Sequence, residues 1–305
     1  MKNYLFLATF CSAVMLSCSS GGGGTEPDIP NPSQPDKPSV EKLPISISTT
    51  ITRATETTFE NGDQIGLFVV NRNADGTADV LKPSGNYVDN MLFTYNSTWT
   101  PATTIYWKDE TTKADFYLYY PYRKTVSSVT AMLFDINANQ SDVAAYKAAD
   151  LLIGSTQNVA PTKSAVGIVA KHVMSQVEIV LKAGAGFTDA SLAASKVAVS
   201  LNGLKTSATV DIASAAVTAT GSATAVTPYK DGTVYHAIVV PQEVSQTNLI
   251  TVNVDGRDYN LTKAFTFVSG KSHTFTVTLD KTSSGVNVTI GAWENDGTDN
   301  GGTAS

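Results

Sequence analysis

Cys18 and Arg53 are the two side chains whose surroundings point to covalent chemistry. Lys2 opens a basic start, Tyr4 to Leu16 is an apolar run, and Ser17 stands directly before Cys18. That order is the layout of an export signal, and a small residue before the cysteine looks like a bacterial lipobox. There the cysteine sulfur takes a diacylglycerol and the new N-terminus takes a third acyl chain. Each buried CH2 contributes about 0.8 kcal/mol, so several chains hold a protein firmly to a membrane. The alternative is an ordinary secretory signal with an incidental cysteine. The Arg53-Ala54 bond lies between a strand-like run and a polar Thr/Glu stretch. It reads either as an exposed loop or as a proteolytic processing site, because exposed polar loop tips are where proteases cut.

The remaining reactive types are scattered. His172, His236 and His273 lie on three separate strand candidates with no metal-ligand spacing. No nucleophile elbow, phosphate loop or dinucleotide glycine pattern is present in the sequence. Carboxylates such as Asp63 and Asp109-Glu110 fall in turns, where solvated turn chemistry is their ordinary role. The chain therefore reads as a non-enzyme with no cofactor and no metal. The aromatic group holding Trp107, Tyr117 and Tyr119 has two readings. Aromatic faces stack sugars, and they also fill β-cores. The net charge of -6, without any basic run, argues against nucleic acid as a partner.

These residues must be held by β-structure. The only cysteines are Cys11 and Cys18, so the folded part rests on core burial and strand pairing without disulfides. Ser, Thr, Val and Ala dominate, and charged residues are 16%, the usage of extracellular β-proteins. The chain divides into a signal over 1–17, a Gly/Pro-rich linker over 18–42, an N-terminal β-sandwich domain over 43–165, a C-terminal β-sandwich domain over 166–293 and a polar tail over 294–305. Ile45, Ile47, Thr49 and Ile51 alternate with Ser46, Ser48 and Thr50, which predicts a first strand. Further strands are expected at Ile65 to Val70, Met91 to Tyr95, Trp99 together with Ile105 to Trp107, Asp115 to Tyr122, Val126 to Ile136 and Val166 to Leu181. Others follow at Lys196 to Leu201, Ala208 to Ile212, Tyr235 to Val240, Leu249 to Val254, Tyr259 to Leu261, His273 to Leu279 and Val286 to Ile290. Many short strands at such spacing predict an all-β sandwich or barrel-like architecture. A marginal helix is expected within Asp142 to Leu152.

In order along the chain come Thr52-Arg53-Ala54, Phe59, Gly62-Asp63 and Ile65-Gly66-Leu67-Phe68, then Ile105-Tyr106-Trp107 and Asp115 to Tyr122. Asp150-Leu151-Leu152, His172 to Val177, Val240-Pro241-Gln242, Ser269-Gly270-Lys271 and Ile290 to Trp293 follow. This ordered set resembles the fimbrillin family, the lipoprotein-derived subunits of Bacteroidales type V pili. The resemblance implies two tandem transthyretin-like β-sandwich domains, an acylated precursor on Cys18, and assembly at the outer-membrane surface. It also implies cleavage after Arg53 by an Arg-specific protease, and loss of a first strand holding Ile45, Ile47 and Ile51. Partners would be other pilus subunits joined by β-strand addition, the outer membrane through the lipid, and a host or bacterial surface ligand. Val286, Val288 and Ile290 make the last strand the candidate donor. If its own sandwich needs that strand, the chain only accepts, as a tip or accessory subunit. The alternative function is a surface glycan-binding outer-membrane lipoprotein using Trp107, Tyr117 or Tyr119.

Overall fold

Runs of alternating apolar and hydroxylated residues turn one face of each strand inward and the other outward. The computed structural model describes residues 42–52, 58–281 and the backbone of Val288–Ile290. Cys18, Arg53, Ala54 and Val286 lie outside the described residues. The first half holds β1 (Ile47–Thr52), β2 (Gln64–Asn71), β3 (Val88–Asn96), β4 (Thr98–Pro101), β5 (Ala114–Tyr120), β6 (Met132–Asp135), the helix α1 (Val143–Ala148), β7 (Leu152–Val159) and β8 (Val166–His172). The second half holds β9 (Ser175–Ala183), the helix α2 (Asp189–Ala194), β10 (Val197–Val210), β11 (Val217–Val226), β12 (Tyr229–Asp231), β13 (Val234–Val239), β14 (Gln242–Val254), β15 (Arg257–Phe267), β16 (Ser272–Leu279) and β17 (Val288–Ile290). The chain is all-β, with two six-residue helices among the described residues. Asp142 starts α1 by accepting the Ala145 N–H at 2.8 Å, an N-cap that satisfies an otherwise orphaned donor.

The strands form three sheets. A seven-stranded sheet runs β1-β8-β7-β5-β2-β3-β4. A five-stranded sheet runs β11-β10-β14-β15, with β6 also pairing β10, and another runs β12-β13-β9-β16-β17. One core fills the inner face of the seven-stranded sheet, with Ile65, Leu67, Phe116, Leu118, Val166 and Ile168. A second lies between the two five-stranded sheets, with Val177, Ile179, Leu201, Val252, Phe275 and Val277. A third joins the halves: Phe68, Tyr117 and Tyr119 from the seven-stranded sheet meet Phe134, Val210 and Ile238. Buried Gln140 reinforces this joint, accepting the Ile238 N–H at 2.9 Å and donating to its carbonyl at 2.7 Å. Strand β5 is thus apolar on both faces because both faces are covered.

The boundary expected at residue 165 is corrected by the pairing. Val166–His172 belongs to the seven-stranded sheet, where Val166, Ile168 and Ala170 face the first core. The apolar run from Val166 to Leu181 is two strands of different sheets, broken at Val173-Met174, which enter the shared core. Within Val126 to Ile136 only Met132–Asp135 is a strand, and it pairs with β10 of the second half. Strand β11 escapes the sequence pattern because its Ala, Thr, Gly and Ser residues carry little apolar contrast.

Candidate functional site

Strand β1 is the candidate site, the paired segment ahead of the Arg53-Ala54 bond. Its alternation has a structural consequence: Ile45 and Ile47 are 3% and 5% exposed, Thr49 and Ile51 are half-buried, and Ser46, Ser48 and Thr50 face solvent. The segment is bonded on two sides in turn. Ile45 N–H donates to the Ile105 carbonyl and Trp107 N–H to the Leu43 carbonyl, both at 2.9 Å. Pro44 lies between them, opposite Tyr106, at a position that asks for no N–H donor. At Ser46 the chain changes partner: its carbonyl accepts the Val166 N–H at 2.8 Å. From there β1 runs parallel to β8 in unbroken register, from Ile47 opposite Val166 to Thr52 opposite Lys171. The strand expected at Ile105 to Trp107 is therefore a single bridge, whose partner is the segment leading into β1.

The wall opposite β8 is aromatic. Trp99 on β4 donates its indole N–H to the Thr49 hydroxyl at 2.9 Å, so the two edge strands of the sheet meet across this bond. Phe59 packs edge-on to Trp99 at 4.9 Å and to Tyr120 at 5.6 Å. The Trp107 indole donates to the Thr162 carbonyl at 3.2 Å and its ring meets Phe116 edge-on at 5.6 Å. On the β8 side, Gly154 of β7 allows close approach, since a Cβ there would lie 2.7 Å from the Val169 carbonyl oxygen. Thr52 and Phe59 thus anchor both flanks of the Arg53-Ala54 bond: one is paired to β8 and the other is buried in the first core.

A family model for fimbrillin-like proteins matches residues 52–293. The chain belongs to the fimbrillin-like family. The family is one of fimbrial subunits and not of enzymes. A curated relative from Bacteroides uniformis, named "Putative fimbrium subunit Fim1C", is 26% identical over 306 residues, covering 96% of this chain and 95% of the relative. A crystal structure from Bacteroides uniformis, described as a putative cell adhesion protein, is similar at TM-score 0.62 and 25% identity, over 81% of this chain and 96% of the other. Another so described, from Bacteroides ovatus, shares the fold at TM-score 0.65 and 17% identity, over 82% and 96% of the two chains.

The other candidate residues of this fimbrillin-like chain fall apart spatially. Trp107, Tyr117 and Tyr119 are 4%, 5% and 0% exposed, which corrects the glycan-contact reading: their ring faces are occupied by core neighbours. Burial pushes the Tyr119 phenol up to about 12, and its hydroxyl sits 2.7 Å from Asn90 Oδ1 and 2.9 Å from the Arg123 carbonyl. Val288 and Ile290 lie in β17, paired antiparallel to Leu279 and Val277 of β16 at the edge of the chain's own sheet. The three histidines do not converge. His172 is 2.7 Å from Asp150, His236 is 3.8 Å from Glu178, and His273 Nε2 accepts the Val268 N–H at 3.1 Å. Among the described residues no three His, Cys, Asp or Glu side chains are close enough to hold a metal ion. Trp99 is the functional candidate that sequence reasoning missed. Its place two residues beyond the β3–β4 turn was legible, but its partner Thr49 lies 50 positions away.

Proposed function

We propose that this chain is a fimbrium subunit that accepts a strand from a partner after its own first strand is cut away. It is exported as a lipoprotein acylated on Cys18, is cut between Arg53 and Ala54, and then exposes the edge of β8 and the pockets of Ile45 and Ile47. The observation that supports this most is the burial of those two isoleucines, Ile47 in a strand registered along its length on β8 and Ile45 in the lead-in bonded to Ile105. Burying each such side chain is worth about 1.5–3 kcal/mol, so an empty groove exposes apolar surface and unpaired backbone together. An incoming strand restores both. The uncut strand is intramolecular, with an effective concentration on the order of millimolar; cutting removes that advantage and lets a competitor in. The pairing of Val288–Ile290 inside its own sheet favours an accepting role, as a tip or accessory subunit at the cell surface. The test is exchange of a labelled peptide of residues 43–52 into protein treated with an Arg-specific protease. Treated wild type is expected to take up the peptide and treated Arg53→Ala to exclude it; equal uptake by both would overturn the proposal.

A further inference from the structure

We infer that Trp99 selects the incoming strand by demanding a hydroxyl at its third inward position, and that the matching strand comes from a different chain, not from the last strand of a second copy of this one. The inference rests on the acceptor reading above. The native strand presents Ile45, Ile47, Thr49 and Ile51 inward, and the groove treats the third position unlike the first two. There the buried Trp99 indole N–H is satisfied by the Thr49 hydroxyl at 2.9 Å. A buried N–H left without an acceptor loses its hydration and receives nothing in return. An aliphatic side chain at that position fills the space and strands the donor. The groove therefore calls for an apolar, apolar, hydroxyl, apolar alternation running parallel to β8. The alternation of this chain's last strand, Val286, Val288, Ile290 and Ala292, sets Ile290 at the hydroxyl position. Shifted on by two, it sets Ala292 there. The last strand of a second copy thus offers no acceptor to Trp99, and a donor strand carrying Ser or Thr in that place does.

The test uses the protease-treated full-length protein and three versions of the 43–52 peptide competing with a labelled native one. Thr49→Val is expected to bind roughly ten-fold more weakly than the native peptide, and Thr49→Ser within about two-fold of it. In Trp99→Phe protein the native and Thr49→Val peptides are expected to compete equally. A peptide of residues 285–293 is expected to bind wild type at least about ten-fold more weakly than the native one. Equal binding of native and Thr49→Val peptides to wild type would overturn the role of Trp99 and leave the acceptor reading standing. Tight binding of the 285–293 peptide would overturn the choice of a different partner chain. Binding of none of the peptides would overturn the acceptor reading and this inference with it.

Discussion

The first and last strands of the folded unit make opposite use of a similar pattern. Both alternate apolar residues with small polar ones. Strand β1 is paired along all six residues, is bonded through its lead-in to the Ile105–Trp107 segment, and drives Ile45 and Ile47 into a core. Strand β17 pairs three residues at the outer edge of a sheet. The difference teaches that alternation makes a strand, whereas the number of neighbours it bridges makes it indispensable. A segment that closes a core between two separate walls leaves a defined groove when removed; an edge strand leaves only a longer edge.

The comparison predicts a large loss for Ile47→Ala. Truncating a fully buried isoleucine is expected to cost about 2–5 kcal/mol, read by chemical denaturation; a loss below about 1 kcal/mol would make β1 an ornament of the sheet. Gly154→Ala comes next, since its methyl meets the Val169 carbonyl and must push β7 and β8 apart; about 1–3 kcal/mol is expected. Ending the chain at Ser284 removes β17 and is expected to cost less than Ile47→Ala in the same assay; the reverse order would break the contrast. Trp99→Phe keeps most of the ring and loses the bond to Thr49, at about 1 kcal/mol, and a greater loss in Thr49→Val would sharpen the case for a stranded donor.

The smallest effect belongs to the second half, which serves as the control. Burial holds the His273 imidazole below its ordinary value of 6.5, and its Nε2 must be unprotonated to accept the Val268 N–H. Below about pH 6.5 the unfolded chain binds a proton that the folded one resists. The stability His273 contributes is therefore present above that pH and is lost as pH falls toward its lower folded value. His273→Gln is expected to flatten this decline in denaturation midpoint relative to wild type, while leaving peptide exchange at β1 unchanged.

Much of the site was legible in local pattern, and its partners were not. The Ile45 to Ile51 alternation gave the strand and its inward face, because a period of two is a property of neighbouring residues. The aromatic run at Asp115 to Tyr122 gave a strand, but not that both of its faces are covered. The same aromatic residues also allowed a sugar platform as the alternative to core filling, since exposure is decided by elements far away in the chain. The boundary near residue 165 was misplaced for the same reason: a break between apolar runs does not say which sheet receives the strand that follows.

By itself the sequence determined an all-β chain, a first strand with apolar and hydroxyl faces, and the ordered motifs of its family. Only the tertiary structure decided that β1 lies parallel to β8, that Trp99 reaches Thr49 across the sheet edges, and that Trp107, Tyr117 and Tyr119 are enclosed. The physical reason is range. Side-chain alternation is set within a few residues, whereas pairing, register and burial are set by contacts between segments tens to hundreds of positions apart, which no local pattern encodes.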